Sequence, residues 1–276
     1  MTGLPPFNLQ QLLRKYELRP QKGLGQNFLS DEEILEKIVF SGGITSDTPV
    51  LEIGPGLGSL TRHLAAGARN VVAVELDRRL VPVLADVLAP WDNVEIIQGD
   101  ILAFSPEAFF SGTYTVIANI PYYITSAVIR RLLEAPVKPE RMVMTVQKEV
   151  AERICAAAGN LSLLALSVQV YGSAEYLFTI PAAAFYPQPN VDSAVLRINL
   201  FPEPLIAAER LDGFFELAKA GFGQKRKTLR NALSSNLRLN SAETAEKLTA
   251  AGIDPMRRAE TLSIPEWDRL LRQFGK

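Results

Sequence analysis

Four residues near the middle of the chain, Asn119-Ile120-Pro121-Tyr122, carry side chains that could hold and orient a planar amine. They follow the apolar run 114–118, which stops at a proline and so indicates a buried strand ending in a loop. The Asn119 side-chain oxygen and a backbone carbonyl such as that of Ile120 could accept both N–H groups of an adenine amine, turning its lone pair toward an electrophile. Tyr122 offers a flat face for the ring. An ordinary strand end with a packed tyrosine fits these four residues equally well.

Three further apolar segments end at residues that suit a nucleoside ligand. Segment 50–53 precedes the glycine loop 54–58, segment 71–74 precedes Glu75, and segment 94–97 precedes Asp100 and Ile101. The carboxyl ends of parallel strands meet at one edge of an open α/β sheet, where ligands bind. We therefore expect these residues and Asn119 to lie together at that edge.

Each of these positions fits one part of a nucleoside cofactor. Glycines in the loop 54–58 let the backbone approach a ligand closely, and a carboxylate at Glu75 can accept both hydroxyl protons of a ribose. Asp100 can accept from an adenine amino group while the next residue lies against the ring. A dinucleotide-binding loop would have its third glycine three residues after Gly56, where this chain has Ser59. NAD is therefore disfavoured.

The sheet is expected to contain seven strands, mostly parallel. After the four strands above, the remaining three are predicted at 142–146, 176–180 and 193–198. Helices are predicted to begin at Ser30, before the first strand, where Ser30 forms a capping box with Glu33, and at Thr125, after the fourth strand, where Thr125 acts as a cap. This pattern is typical of an α/β fold.

A loop with two prolines, residues 185–193, lies between the last two predicted strands. The prolines leave it little conformational freedom. Phe185 at its start has two interpretations. It is either a buried ring in a connecting segment or a second aromatic wall that faces Tyr122 across a flipped base.

The chain changes character after residues 201–204, Phe-Pro-Glu-Pro. No strand pattern remains, and short helices are predicted at 211–220, 227–237, 242–251 and 264–274. We predict a sheet domain over residues 1–202 with an N-terminal arm, residues 1–48, and a small all-helical domain over residues 203–276. Within the arm, the segment before Ser30 could be a lid or an ordered tail.

Composition argues against several classes of protein. Of 276 residues, 47% are hydrophobic and 21% are charged, which is typical of a folded soluble protein. No apolar run approaches the roughly 20 residues needed to cross a bilayer, so we expect no membrane partner. A single cysteine, Cys155, fits a reducing cytoplasm, and with the single histidine, His63, it argues against a zinc site or a histidine-based site.

Two basic segments contrast with the net charge of −1. One contains Lys225, Arg226, Lys227 and Arg230 without an acidic residue, and the other, residues 14–22, contains four cations and one glutamate. Each segment alone is compatible with a solvated face. Two such segments flanking a predicted base pocket favour contacts with nucleic-acid phosphates.

Four motifs, in this order, closely resemble those of the small-subunit ribosomal RNA adenine dimethyltransferases. They are Gln26-Asn27-Phe28-Leu29, Glu52-Ile53-Gly54-Pro55-Gly56-Leu57-Gly58, Asn119-Ile120-Pro121-Tyr122 and the loop 185–193. The resemblance covers essentially the full length, including the helical C-terminal region. It implies a Rossmann-like class I methyltransferase fold with S-adenosylmethionine as the cofactor. The implied substrate is two adjacent adenosines in a hairpin loop near the 3′ end of small-subunit rRNA, each methylated twice.

The resemblance also implies roles for individual residues. Asn119 would hold the reacting amine while Tyr122 and Phe185 stack on the base, and the helical domain would bind RNA through the Lys225–Arg230 segment. The cofactor would be held by Asn27, Leu29, Gly54, Gly56, Glu75, Leu76, Asp100, Ile101 and Asn119. The implied partner is small-subunit rRNA or a pre-30S particle in the cytoplasm. We expect a monomer that holds no metal.

Three other functions share parts of this pattern. A large-subunit rRNA adenine methyltransferase of the macrolide-resistance type has the same fold, and the distinguishing feature here is the C-terminal pattern at 222–230. A DNA adenine methyltransferase is disfavoured because no separate base-reading domain is evident. A non-catalytic RNA-binding assembly or transcription factor could retain the fold, but Asn119, Tyr122, Gly54 and Glu75 are all intact.

Overall fold

A computed structural model describes residues 4–275, which form two compact units. The first unit is the chain up to Ala151 together with Glu175–Leu200, and the second is Glu152–Ala174 together with the chain from Phe201 onward. The predicted boundary at residue 202 would place the segment 152–174 in the sheet domain, whereas the structure groups this segment with the second unit. Within the second unit, that segment is tied to the C-terminal region because the N–H groups of Gly159 and Leu161 both donate to the carbonyl of Glu260 at 3.1 Å. As functional domains, the ranges 1–202 and 203–276 stay a prediction.

The first unit is built on a seven-stranded, mostly parallel sheet, and the fold prediction is confirmed in this respect. The strands of the described residues are β1 (Phe28–Leu29), β2 (Pro49–Ile53), β3 (Asn70–Glu75), β4 (Val94–Gln98), β5 (Thr115–Asn119), β6 (Arg141–Gln147), β7 (Gly172–Ile180), β8 (Phe185–Tyr186) and β9 (Ser193–Leu200). The order in the main sheet is β4-β3-β2-β5-β6-β9-β7. The five neighbouring strands β4, β3, β2, β5 and β6 pair in parallel, and β9 is antiparallel to β6.

The parallel pairing brings the ends of four strands to one edge of the sheet. Ile53 at the end of β2 lies beside Val74 of β3 on one side and Ala118 of β5 on the other. Strands β2, β3 and β5 are almost wholly buried, as expected for parallel strands covered on both faces. The carboxyl edge of β2 to β5 is therefore a rigid platform for side chains that follow these strands.

Helices of the first unit pack against this sheet. In the described residues the helices are α1 (Leu9–Lys15), α2 (Glu32–Gly42), α3 (Ser59–Gly67), α4 (Val81–Val87), α5 (Thr125–Glu134), α6 (Lys148–Ile154), α7 (Leu163–Gln169), α8 (Leu211–Phe222), α9 (Leu229–Leu237), α10 (Ser241–Ala250) and α11 (Ile264–Gln273). Leu35 and Ile38 of α2 pack in one hydrophobic cluster with Leu64 of α3 and with Val50 and Ile117 of the sheet. Burial of these side chains drives the sheet and helices together.

Two predicted helix starts are wrong in detail. Helix α2 is capped by Asp31, whose side chain accepts from the N–H of Ile34 at 3.1 Å, and not by Ser30. Helix α5 begins with Thr125 as its first residue and has no side-chain cap. In both cases the helix starts one residue away from the predicted position.

Residues 4–48 of the N-terminal arm pack within the first unit. Its strand β1 pairs antiparallel with β8, with Phe28 opposite Tyr186 and Leu29 opposite Phe185. Residues of α1 join Leu57 and Leu80 in a second hydrophobic cluster. This pairing joins segments more than 150 positions apart in sequence, so local patterns could not predict it.

The second unit is helical around a buried tryptophan. Trp267 of α11 is fully buried, and its ring stacks on Phe222 with a centroid distance of 5.8 Å. Pro265 lies in the first turn of α11, as predicted. No helix within residues 4–275 is long and apolar enough to cross a membrane.

Candidate active site

A pocket opens at the carboxyl edge of β2 to β5. All nine residues predicted to hold the cofactor line it, and so does Tyr122. The arm contributes residues 24–26, which the sequence did not assign, and Glu52 and Tyr123 are further lining residues without a predicted role. The structure thus brings the predicted cofactor residues and the predicted amine-binding residue into one pocket.

The loop after β2 turns sharply at three glycines. Gly54, Gly56 and Gly58 have φ angles of 68°, 62° and 84°, in the left-handed region that favours glycine. A Cβ at Gly56 would lie 3.0 Å from the ring of Phe28. The loop can therefore keep its backbone close to the pocket only without a side chain at this position.

Glu75 is fixed in place by backbone hydrogen bonds at the end of β3. Its Oε2 accepts from the N–H of Gly56 at 3.0 Å, and its Oε1 accepts from the N–H of Asp77 at 2.8 Å. Burial raises the pKa of Glu75. Each oxygen keeps a lone pair for another donor, so the carboxylate is preorganised to accept two hydroxyl groups such as those of a ribose.

Glu52 is the deepest acidic group of the pocket lining. It is 1% exposed, and burial raises its pKa to about 8. Within the described part of the chain, its Oε2 has no hydrogen-bond partner. A buried carboxyl group with one unpartnered oxygen favours a cationic ligand nearby. S-adenosylmethionine carries a sulfonium and an ammonium group, so the pocket fits the cofactor that the resemblance implies.

The end of β4 provides a polar and an apolar contact. Asp100 is exposed, and its Oδ1 accepts from the N–H of Leu102 at 2.9 Å. Among residues 4–275 no donor reaches its Oδ2. Ile101 is 6% exposed and Leu76 is 45% exposed, and both line the pocket. This combination can accept from an amino group and pack against a ring.

Asn119, at the end of β5, has its amide oriented by the arm. Its Nδ2 donates to the carbonyl of Asn27 at 3.1 Å. For the residues that the structure describes, no donor reaches its Oδ1. The side-chain oxygen is therefore free to accept from a ligand, as the amine-holding interpretation requires.

Tyr122 lies directly after Pro121 and is half-buried. Its hydroxyl is 2.7 Å from Oγ of Ser193, at the start of β9. Burial raises the pKa of Tyr122, so the hydroxyl stays neutral. The next residue, Tyr123, is 60% exposed and also lines the pocket. The sequence analysis assigned one aromatic ring, Tyr122, to this part of the pocket, and the structure places the rings of both Tyr122 and Tyr123 there.

Phe185 does not line the pocket. It is 4% exposed and belongs to the hydrophobic cluster that contains Leu29 and Ile38. The pairing of β8 with β1 places Phe185 beside Leu29 and turns its ring inward. The structure agrees with the first interpretation of Phe185, a buried ring in a connecting segment. Burying an aromatic side chain is strongly favourable.

A model of one protein family, described as ribosomal RNA adenine dimethylase, matches residues 18–275. This chain belongs to that family. The ribosomal RNA small subunit methyltransferase A of Dehalococcoides mccartyi is 44% identical over 268 residues, which are 96% of this chain and 92% of that protein. The protein of the same name from Geobacillus thermodenitrificans is 43% identical over 276 residues, with 96% and 94% covered. The predicted enzyme class, an S-adenosylmethionine-dependent ribosomal RNA adenine dimethyltransferase, is confirmed.

Solved structures of two related enzymes have the same fold as this dimethylase-family chain. The 23S rRNA methyltransferase ErmE is 30% identical with a TM-score of 0.74, covering 91% of this chain and 100% of that chain. A dimethyladenosine transferase from Plasmodium falciparum is 25% identical with a TM-score of 0.78, covering 90% and 97%. The predicted class I methyltransferase fold is confirmed.

The predicted RNA-binding residues of this dimethylase-family chain lie in its second unit. Lys225, Arg226 and Lys227 are exposed between α8 and α9, and Arg230 is half-buried in the first turn of α9. Arg230 Nε donates to Oδ1 of Asn231 at 3.3 Å. In residues 4–275 none of the four cations forms a salt bridge, so each charge is available to a phosphate.

Proposed function

We propose that this protein transfers methyl groups from S-adenosylmethionine to N6 of two adjacent adenosines in the 3′-terminal hairpin loop of small-subunit (16S) rRNA, giving N6,N6-dimethyladenosines. Methylation of small-subunit rRNA is supported by the names of relatives that are 43–44% identical over nearly the whole chain. The observation that carries the proposal is the pocket, where the free Oδ1 of Asn119 lies together with the other eight predicted cofactor residues.

The cofactor is held by groups that the pocket already orients. Glu75 would accept from the ribose hydroxyls, Asp100 would accept from the adenine amino group, and Ile101 would pack against the adenine ring. A cationic group beside Glu52 would favour the ionised form of its carboxyl group, which burial alone disfavours. When bound, S-adenosylmethionine supplies a methyl group that its sulfonium has already activated. The protein therefore contributes mainly alignment and exclusion of water.

The target amine is held by two acceptors. Asn119 Oδ1 and the carbonyl of Ile120 accept its two N–H groups, which turns the nitrogen lone pair toward the methyl donor. Asn119 does not have to remove a proton, since a methylated, cationic amine loses its proton readily to water. Each methyl group that is added thus replaces one N6 proton.

The base must leave its stack to reach Asn119. Extrusion costs a few kcal/mol, and less for a nucleotide in a loop, while stacking on an aromatic ring returns about 1–3 kcal/mol. Tyr122 provides one such ring. Phe185 can serve as the second only if β8 moves away from β1 in the RNA complex, and we retain it as a stacking residue of that state.

The second unit also binds the RNA. Lys225, Arg226, Lys227 and Arg230 contact phosphates of small-subunit rRNA in a pre-30S particle. The protein acts as a monomer in the cytoplasm and has a role in small-subunit biogenesis.

The test is incubation with labelled S-adenosylmethionine and undermethylated small subunits, with large subunits in parallel. Label on two adjacent adenosines of the small-subunit rRNA is expected. Label confined to the large subunit would favour the alternative that the likeness to ErmE supports. Binding to small subunits without any label would favour a non-catalytic assembly factor.

A further inference from the structure

Residues 25–27 of the N-terminal arm cross the pocket and contact both of its sides; we call them the bridge. Beyond the end of β3, Gln26 Nε2 donates to Asp77 Oδ2 at 2.8 Å. At the end of β5, the carbonyl of Asn27 accepts from Asn119 Nδ2 at 3.1 Å. The bridge thus links the part of the pocket beside Glu75 to the amide that faces the target amine.

The bridge has little freedom to slide. Oε1 of Gln26 accepts from the N–H of Gln21 at 2.7 Å, so both ends of the Gln26 amide are engaged. Gly25 has a φ of 63°, and a Cβ there would lie 3.3 Å from Pro121 and from the ring of Tyr123. Its backbone is therefore packed directly against the loop that follows Asn119.

Asp77 is a strong anchor for the bridge. It is 6% exposed, and its carboxylate accepts from Arg79 Nη2 at 2.6 Å and from Arg79 Nε at 3.0 Å. The Arg79 guanidinium lowers the pKa of Asp77, with the Gln26 hydrogen bond adding to the effect. The acceptor for Gln26 is thus an ionised carboxylate, which makes a shorter and stronger hydrogen bond than a neutral group.

A side-chain amide can point either its oxygen or its nitrogen at a ligand, and only one orientation of Asn119 accepts from an amine. The Asn27 carbonyl takes the nitrogen, which leaves Oδ1 for the pocket. We propose that Gln26 and Asp77 are positioning residues for methyl transfer, because their hydrogen bond holds the Asn27 carbonyl where it sets the orientation of the Asn119 amide. The inference rests on the proposed role of Asn119.

The test is Gln26→Met, which keeps the length of the side chain and removes both of its hydrogen bonds. Single-turnover methyl transfer at saturating cofactor and small-subunit rRNA should fall about tenfold. The Kd of S-adenosylhomocysteine should change by less than about threefold. The ¹⁵N–¹H signal of the Asn119 side-chain amide should shift, since its acceptor moves.

The matched control is Asp86→Asn, which weakens a different attachment of the same arm. Asp86 Oδ2 accepts from Lys15 Nζ at 2.6 Å and from the Tyr16 hydroxyl at 2.8 Å, and it forms no hydrogen bond with the bridge. This variant should keep the parental rate and the parental Asn119 signal. If Gln26→Met fails to fold, Asp77→Ala removes the same hydrogen bond from the other side and should give the same rate loss.

Two results would overturn the proposal. One is a rate within about twofold of the parent with an unshifted Asn119 signal in the bridge variants. The other is an equal rate loss in Asp86→Asn, which would assign the effect to general ordering of the arm. If the parent protein methylates no rRNA, the proposed function fails, while the Asn119 signal still tests whether the bridge orients the amide.

Discussion

Replacing Glu75 by glutamine tests whether this carboxylate binds the cofactor ribose. Each oxygen of Glu75 already accepts one backbone N–H, from Gly56 at 3.0 Å and from Asp77 at 2.8 Å. A glutamine amide has only one oxygen, so one N–H would face an NH2 group and the ribose would lose an acceptor. A hydrogen bond to a charged group is worth about 1.5–3 kcal/mol. We therefore expect Glu75→Gln to weaken cofactor binding by about 10- to 100-fold.

Titration calorimetry with S-adenosylhomocysteine measures this change. Glu95→Gln is the control, since Glu95 is exposed on β4 and does not line the pocket, and its Kd should equal that of the parent. Because burial raises the pKa of Glu75, removing its charge also relieves a desolvation penalty. Stability should therefore change less than affinity. A Kd for Glu75→Gln within about twofold of the parent would refute the ribose role.

Three further predictions concern the chemistry, the buried charge and RNA binding. Asn119→Ala should slow methyl transfer by about 10²- to 10³-fold with unchanged rRNA affinity in filter binding; parental rates would remove Asn119 from the chemistry. Glu52→Gln should stabilise the cofactor-free protein above pH 8 by up to about 5 kcal/mol but not near pH 5. The folded pKa of about 8 lies above the ordinary value of 4.5, so stability falls as pH rises between them; urea unfolding that shows a pH-independent difference would contradict this. Neutralising Lys225, Arg226 and Lys227 should make the slope of log K against log salt shallower by about 2, and an unchanged slope would identify a solvated face.

The ligand edge of the sheet could be predicted from the sequence because its signals are local. Buried parallel strands are short apolar runs, and each of the four runs ends directly at a polar or glycine residue. Glu75 and Asn119 therefore lie at the same edge once the strands are parallel. The resemblance added Asn27 and Leu29, which local patterns alone did not place in the pocket.

The features that the sequence did not predict depend on long-range pairing. Phe185 is buried because β8 pairs with β1. The hydroxyl groups of Tyr122 and Ser193, which are 71 positions apart, form a hydrogen bond. The hydrogen bond between Gln26 and Asp77 joins residues 51 positions apart. No spacing rule connects such residues, and their contacts follow only from the assembled fold. The unpaired carboxyl oxygen of Glu52 was missed for the same reason, since burial is a property of the whole unit.

The most direct test of the central claim is a crystal structure of the protein soaked with S-adenosylhomocysteine. We predict that the ribose hydroxyls contact Glu75, that the adenine lies between Asp100 and Ile101, and that Oδ1 of Asn119 faces the cofactor sulfur across open space. Ligand bound in another part of the protein, or an Asn119 side chain turned into the hydrophobic interior, would contradict it.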